Sequence, residues 1–248
     1  MDSIVVAILF CDKTAKKSKG KRMGDMIFHG SEFIVDRPEY GKGSRFNDYG
    51  PGFYCTEHIE LAKEWACTSD HGGYANKYYL DLDGLDVLRL NDKEHNILNW
   101  LAVLLENRQF DITTDIALRA REYLLANFLP DYRDADVIIG YRADDSYFSF
   151  ARDFIGNGLS LKQLAKAMYL GELGEQIVIK SPRAFGRLQF IGYEIADDRE
   201  YRQRRKMRDD DARTAYRTVR RSHEDPADRI YVMDIIRQGW RNEDVRIQ

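Results

Sequence analysis

Short strand-like segments, interrupted by helices in no regular alternation, constrain the fold of this chain most. Strand patterns occupy residues 26–29, 53–56, 77–82, 85–90, 136–141, 175–179 and 189–195. Helical periodicity marks residues 57–67, 94–107, 114–129, 160–170 and 202–221. A doubly wound parallel sheet needs strands and helices in alternation, so this order indicates an α+β fold. No glycine-rich turn of the dinucleotide-binding or phosphate-loop type joins a strand to a helix, which disfavours a Rossmann dehydrogenase and a P-loop enzyme.

Charge divides the 248-residue chain into three regions. Residues 1–25 carry six Lys and Arg against three Asp and Glu, and residues 197–248 carry 14 against 12. Residues 26–196 therefore hold a net charge of −8 within a total of −3. We expect a basic, disorder-prone leader over 1–25, one domain over 26–196, and a charged helical C-terminal extension over 197–248. The acidic centre argues against a body that grips nucleic acid through a broad cationic face.

The three cysteines, Cys11, Cys55 and Cys67, are an odd number in a chain long enough to fold without disulfides. A reducing cytoplasm is the simplest interpretation. The apolar run 4–11 is too short to span a bilayer, and basic residues follow it instead of preceding it, so we expect no membrane or export segment. Cys55, His58, Cys67 and His71 have spacings close to those of zinc sites, but Cys55 fits better as a small buried hydrophobe, and we expect no metal.

Three separated motifs carry the functional information in this sequence. They are Phe28-His29-Gly30-Ser31, then Gly50-Pro51-Gly52-Phe53-Tyr54 leading into a helix that ends in Trp65-Ala66, and Gly174-Glu175-Gln176-Ile177-Val178-Ile179. In this order and spacing they resemble the His-Tyr-Glu branch of the ADP-ribosyltransferase superfamily, which includes diphtheria-type toxins and poly(ADP-ribose) polymerases. The chain is similar, more closely, to an uncharacterised bacterial family assigned to that superfamily. The resemblance covers about residues 26–238 and implies a split antiparallel sheet with flanking helices.

The resemblance also implies that NAD is the substrate and which residues bind it. His29, with Gly30 and Ser31 beside it, matches the histidine motif that binds the adenosine-side ribose and the nicotinamide amide. Tyr54 matches the tyrosine that stacks on the nicotinamide ring. Trp65 matches a second aromatic residue that completes the sandwich, although an aromatic residue on an apolar helical face is also typical of a core. The chain departs from the pattern at Ala62, where related polymerases carry a serine.

The third motif assigns the catalytic carboxylate to Glu175. By resemblance, Glu175 binds the ribose 2′-hydroxyl and stabilises the oxocarbenium-like transition state that forms when the nicotinamide–ribose bond breaks. Gln176 is the alternative, because the bacterial relatives commonly carry glutamine there, and Glu172 is close enough to confuse an alignment. We favour Glu175 as the catalytic residue and retain Gln176 as a binding residue.

These assignments predict a cytoplasmic bacterial mono-ADP-ribosyltransferase that transfers ADP-ribose to a protein or nucleic-acid acceptor. The resemblance favours a toxin or defence effector, for which a neutralising protein partner is one option, over a polymerase. The alternatives are an NAD glycohydrolase and a non-catalytic module that binds a nucleotide, a nucleic acid or a protein. We expect residues 36–52 to border the cleft. We interpret residues 199–221 as a solvated helix, with nucleic-acid binding by its arginines as the alternative.

Overall fold

The computed structural model describes residues 25–68, 71–143, 145–168, 170, 174–222 and 229–247. Residues 1–24 of the predicted leader, with Cys11, and Glu172 lie outside this range. The strands are β1 (Asp25–Ser31), β2 (Phe53–Cys55), β3 (Gly73–Leu80), β4 (Val87–Arg89), β5 (Val137–Tyr141), β6 (Glu175–Ile179) and β7 (Leu188–Ala196). The helices are α1 (Ile59–Ala66), α2 (Ile97–Asn107), α3 (Asp115–Phe128), α4 (Asp145–Ile155), α5 (Leu161–Met168), α6 (Pro182–Phe185), α7 (Asp198–Arg221) and α8 (Val232–Gln238).

The strands form two sheets, and the α+β class predicted from the sequence is confirmed. The first sheet has the antiparallel order β1-β3-β7, and the second has the order β2-β6-β5-β4. Paired backbone hydrogen bonds of 2.8 and 2.9 Å between Phe28 and Thr56 connect the sheets. The expectation of wholly antiparallel pairing is wrong at one place, because β4 runs parallel to β5. Helices α2 and α3 lie between these two strands in the sequence and supply the crossover that parallel pairing requires.

The predicted turn at Asp83-Gly84 forms, with Gly84 at φ 73°. It does not join paired neighbours, since β3 belongs to the first sheet and β4 to the second. The chain therefore passes from one sheet to the other at this turn. A left-handed glycine suits such a sharp change of direction because it has no Cβ to clash.

Two apolar cores hold the layers together. One lies between the two sheets, because its members come from strands of both; they include Ile27, Cys55, Tyr78, Ile139 and Ile177. The larger core gathers around helices α2 to α5, and Trp100 is its largest fully buried side chain. The Trp100 indole also donates a 3.0 Å hydrogen bond to the carbonyl oxygen of Tyr141, which ties α2 to the end of β5. Within the described part of the chain, no helix has both the length and the apolar character needed to cross a membrane.

The C-terminal segment packs on the body of the protein. Tyr216 of α7 stacks on Phe150 of α4 with ring centroids 3.8 Å apart, and its hydroxyl donates a 2.6 Å hydrogen bond to Asp153. Val232 and Ile235 of α8 are fully buried in the larger core. The expectation of a solvated helix over 199–221 is therefore wrong for one face of α7, which is buried against the body.

Replacing Ile235 with alanine tests whether α8 belongs to the same folding unit as the body. The change removes a buried side chain from the larger core, so we expect the free energy of unfolding to fall by about 2–5 kcal/mol. Urea unfolding followed by circular dichroism measures this, and Val245→Ala, at an exposed position, is the control. Unchanged stability in Ile235→Ala, or a separate early transition, would show that α8 unfolds independently.

Candidate active site

A pocket of about 310 Å³ collects side chains from distant parts of the chain. Strand β2, helix α1, strand β6 and helix α7 each contribute one residue, and loops contribute the others. The lining consists of Asn47, Asp48, Tyr54, Trp65, Arg108, Arg142, Ala143, Gln176 and Arg205. Pockets of this size, with a few converging polar groups, are typical of small-molecule sites.

Strand pairing brings the second and third motifs together. β2 pairs with β6 in antiparallel register, with Tyr54 opposite Val178. Directly opposed residues share a face, and residues two apart on a strand also share it, so Tyr54 and Gln176 point to the same side of the sheet. The Tyr54 hydroxyl donates a 2.6 Å hydrogen bond to the carbonyl oxygen of Gly50 and accepts a 3.1 Å hydrogen bond from the amide of Tyr49. The loop before β2 thus fixes the Tyr54 ring at the pocket.

The Tyr54 hydroxyl is poorly suited to acid–base chemistry. Burial raises its pKa well above the ordinary value of 10.0. A phenol with a raised pKa stays protonated at neutral pH, and here it is already engaged with the loop backbone. Tyr54 therefore offers a bound ligand its aromatic ring.

Trp65 is the second aromatic residue of the pocket. It lies near the C-terminal end of α1, and the guanidinium of Arg142 sits 4.0 Å from the centroid of its ring. The indole Nε1 is buried and has no hydrogen-bond partner among the described residues. A buried donor without a partner is costly, and such groups are uncommon in native proteins. Trp65 thus has one ring face covered by Arg142 and an indole donor without a partner in the described part of the chain.

Gln176 is held in the pocket by Asp48. Its Nε2 donates a 3.0 Å hydrogen bond to Asp48 Oδ2, which also accepts a 2.9 Å hydrogen bond from the amide of Ala143. Because the amide nitrogen faces the carboxylate, Oε1 is the other end of the side chain. That oxygen is buried and has no partner in the described part of the chain. The pocket therefore contains an unused acceptor as well as an unused donor.

Asp48 is a buried carboxylate surrounded by arginines. It is 5% exposed, and its Oδ1 lies 3.6 Å from Nε of Arg108. Burial raises the pKa of Asp48, while the Ala143 amide and the positive charges of Arg108 and Arg142 oppose the rise. Asp48 is thus shielded from water, and in such surroundings the electrostatic effect of a carboxylate on a ligand is stronger than in water.

His29 contacts the backbone of Tyr54 and does not line this pocket. Its Nδ1 lies 2.7 Å from the carbonyl oxygen of Tyr54, and its ring lies 4.2 Å from that of Phe53. A carbonyl oxygen only accepts, so Nδ1 carries the proton and Nε2 is the acceptor in the neutral ring. Burial lowers the pKa of His29. The histidine is thus a neutral ring that fixes the position of the tyrosine.

Gly30 and Ser31 have different surroundings. A Cβ on Gly30 would lie 2.0 Å from the carbonyl oxygen of Ala62 and 2.8 Å from Cβ of Trp65, so only glycine lets β1 approach α1 this closely. The first motif therefore positions Trp65 through direct packing. Ser31 accepts a 3.2 Å hydrogen bond from the amide of Phe33 in an exposed turn and does not line the pocket.

Glu175 also lies off the pocket. Neighbouring residues on a strand point to opposite faces, so Glu175 and Gln176 diverge. Burial raises the pKa of Glu175, the negative charge of Glu57 raises it further, and Arg89 opposes the rise. The structure thus brings Tyr54, Trp65 and Gln176 together and leaves Glu175 on the other face of β6. A catalytic role for Glu175 stays a prediction.

The cysteines and histidines of the zinc alternative do not converge. Cys55 is buried in the core between the sheets, and Cys67 donates a 3.6 Å hydrogen bond to the carbonyl oxygen of Ala196. Over the ranges that the structure describes, no three His, Cys, Asp or Glu side chains are grouped closely enough to hold a metal ion.

The three motifs do not include the four charged lining residues, Asp48, Arg108, Arg142 and Arg205. Asp48 falls inside the segment 36–52 that was expected to border the cleft, so its region was predicted although its role was not. Arg108 follows a helix in a loop without motif character. Arg142 follows strand β5, between Asp136–Gly140 and Ala143, which also belong to the family resemblance but do not mark the arginine itself. Arg205 lies in the helix interpreted as solvated. No local pattern distinguishes these arginines from surface arginines.

The fold and the site define an α+β protein with a small pocket lined by aromatic and charged side chains. The family described as "Protein of unknown function (DUF3990)" matches residues 26–190, and the chain belongs to this family. No curated protein and no solved structure matches the chain significantly.

Replacing Gly30 with alanine tests the close packing of β1 on α1. The new methyl group would overlap the backbone of α1 at Ala62, and we expect a loss of about 1–3 kcal/mol in unfolding free energy. Thermal unfolding measures the loss. Gly186→Ala is the control, since the atom nearest to its added Cβ is 3.4 Å away. Equal effects of the two changes would contradict this account of Gly30.

The lowered pKa of His29 predicts a pH-dependent contribution to stability. The unfolded histidine titrates near its ordinary value of 6.5, and the folded one below it. The stability contributed by neutral His29 is therefore complete above about pH 6.5 and is lost as pH falls toward the lowered pKa. We expect the difference in unfolding free energy between wild type and His29→Gln to shift against the wild type between pH 7.5 and 5.5. Urea titrations at several pH values measure it, and parallel curves would contradict the prediction.

Proposed function

We propose that this protein is an ADP-ribosyltransferase that uses NAD as its substrate. One observation carries the proposal: Tyr54, Trp65 and Gln176, which belong to motifs far apart in the sequence, line a single pocket. Tyr54 and Trp65 match the resemblance described above at the positions that stack on nicotinamide, and Gln176 belongs to the third motif. The proposal gives this pocket the role of the nicotinamide site.

The polar groups of the pocket are complementary to a carboxamide. Nicotinamide carries an NH₂ donor and a carbonyl acceptor on a flat aromatic ring. Gln176 Oε1 is an acceptor and Trp65 Nε1 a donor, both buried and without a partner among the described residues, and the aromatic rings of Tyr54 and Trp65 belong to the same lining. A ligand that pairs with both polar atoms relieves the cost of burying them unpaired. Because the indole N–H lies in the plane of its ring, Trp65 can either stack on the nicotinamide or supply the hydrogen bond that is lost at Ala62, but not both at once.

In the proposed reaction the bond between ribose C1′ and the nicotinamide nitrogen breaks, and its electron pair leaves with the nicotinamide. Positive charge develops on C1′ and the ring oxygen of the ribose. The lone pair of the acceptor then forms a bond to C1′, and the acceptor releases one proton to solvent. A carboxylate near C1′ stabilises the cationic transition state. Asp48 is the carboxylate that lines the pocket, and we assign this role to it ahead of Glu175.

The test combines NAD labelled on the adenylate with cell lysate separated into protein and nucleic-acid fractions. Wild type is expected to release nicotinamide and to transfer the label to one fraction. In Asp48→Asn we expect activity to fall by about 100-fold or more, because the change removes the charge beside C1′. In Gln176→Ala we also expect a loss of activity, because the change removes the acceptor for the carboxamide of the substrate. Gln189→Ala, at an exposed position outside the pocket lining, is the matched control and is expected to stay within a few-fold of wild type. Glu175→Ala is measured beside it to decide between the two carboxylates.

The other outcomes separate the alternatives. Nicotinamide release without label on either fraction would identify an NAD glycohydrolase. Loss of activity in Glu175→Ala with full activity in Gln176→Ala would return the catalytic role to Glu175. NAD left intact by wild type in every fraction would refute the enzyme and favour a binding module.

A further inference from the structure

Helix α7 presents one continuous face to the body of the protein. Tyr201, Ala212 and Tyr216 are buried, and Arg208 is paired with Glu64 of α1. Their successive spacings of seven, four and four residues place them on one side of a helix. Arg205 follows Tyr201 by four residues and precedes Arg208 by three, so it belongs to the same inward side. This agrees with its position in the pocket lining.

Ion pairs fix α7 along α1 on both sides of Arg205. Glu60 accepts a 3.0 Å hydrogen bond from the Tyr201 hydroxyl and a 2.7 Å hydrogen bond from Arg204. Glu64 accepts hydrogen bonds from Nε and Nη2 of Arg208, with Nε at 3.0 Å. Glu64 immediately precedes Trp65, so these contacts hold α7 against the part of α1 that forms the pocket.

Arg205 differs from its paired neighbours. Arg204 and Arg208 each face a glutamate, whereas Arg205 has no hydrogen-bond or ion-pair partner among the residues that the structure describes. It is only partly exposed and lines the pocket together with Arg108 and Arg142. Among the described residues the lining carries three guanidinium groups and one carboxylate, Asp48. Asp48 already receives hydrogen bonds from Ala143 and Gln176 and is paired with Arg108, so it is not left for Arg205.

We propose that Arg205, with Arg108 and Arg142, binds the phosphate groups of a nucleoside diphosphate. Guanidinium groups match phosphate oxygens in geometry and charge, and in a partly buried site their hydrogen bonds to phosphate are strong. Helix α7 thereby completes a phosphate subsite next to the aromatic part of the pocket. That the nucleoside diphosphate belongs to NAD rests on the proposed function; the phosphate subsite itself rests on the arginines.

The binding of ADP-ribose and of inorganic pyrophosphate to the full chain tests this proposal by isothermal titration calorimetry. Arg205→Gln is expected to weaken both ligands by about tenfold or more, because it removes a charged hydrogen-bond donor. Arg205→Lys keeps the charge but loses the forked geometry, so we expect an intermediate loss. Arg217→Gln, exposed on the same helix, is the control and should bind as wild type does. Added salt should weaken wild-type binding more than binding by Arg205→Gln.

The possible failures are distinguishable. If wild type binds ADP-ribose and pyrophosphate, Arg205→Gln does not, and wild type releases no nicotinamide from NAD, the phosphate subsite is supported and the transferase is refuted. Nicotinamide release with equal ADP-ribose affinity in wild type and Arg205→Gln refutes the subsite and leaves the transferase standing. Failure of wild type to bind either phosphate ligand also overturns the subsite. An Arg205-dependent affinity for a single-stranded oligonucleotide, with ADP-ribose unaffected, would replace it with a nucleic-acid contact.

Discussion

The junction between the two sheets is the constraint on which the rest of the structure depends. Paired backbone hydrogen bonds between Phe28 and Thr56 hold β1 beside β2, and the contact from His29 to the Tyr54 carbonyl lies next to them. Thr56 is fully buried, so these bonds are shielded from competing water. A small shift at this junction would move Tyr54 relative to the first motif. The junction of the two sheets thus fixes the position of Tyr54, which lines the pocket.

The sequence predicts the strands, most helices and three of the pocket residues, because these depend on local pattern. It could not decide between Glu175 and Gln176. Both faces of β6 are covered over residues 176–179, so the strand lacks the polar–apolar alternation that would identify the pocket face. The parallel pairing of β4 with β5 depends on a crossover spanning two helices. Arg205 enters the pocket through tertiary packing of α7, which helical periodicity alone does not reveal.

The pocket contains more polar groups than stability alone would favour. Asp48 and Gln176 are each 5% exposed, and Trp65 Nε1 and Gln176 Oε1 have no partner among the residues that the structure describes. Buried networks of this kind lower stability unless all members are satisfied. A core of the same volume built from apolar side chains would be easier to fold. Local departures from the rules of stable packing are expected where a protein holds a ligand, and here they coincide with the motif residues.

Arg205 belongs to a part of the chain that the family match does not include, and this affects how the charge of the pocket can vary between relatives. The family match ends at residue 190, whereas α7 spans Asp198–Arg221. The aromatic part of the pocket thus comes from the shared domain, and one cationic side chain comes from a segment outside the match. Relatives that join the same domain to a different C-terminal segment would keep the rings and change the charge beside them. Exchange of this helix would then change the charge at the pocket, and the new helix would also have to replace Tyr216 in the larger core.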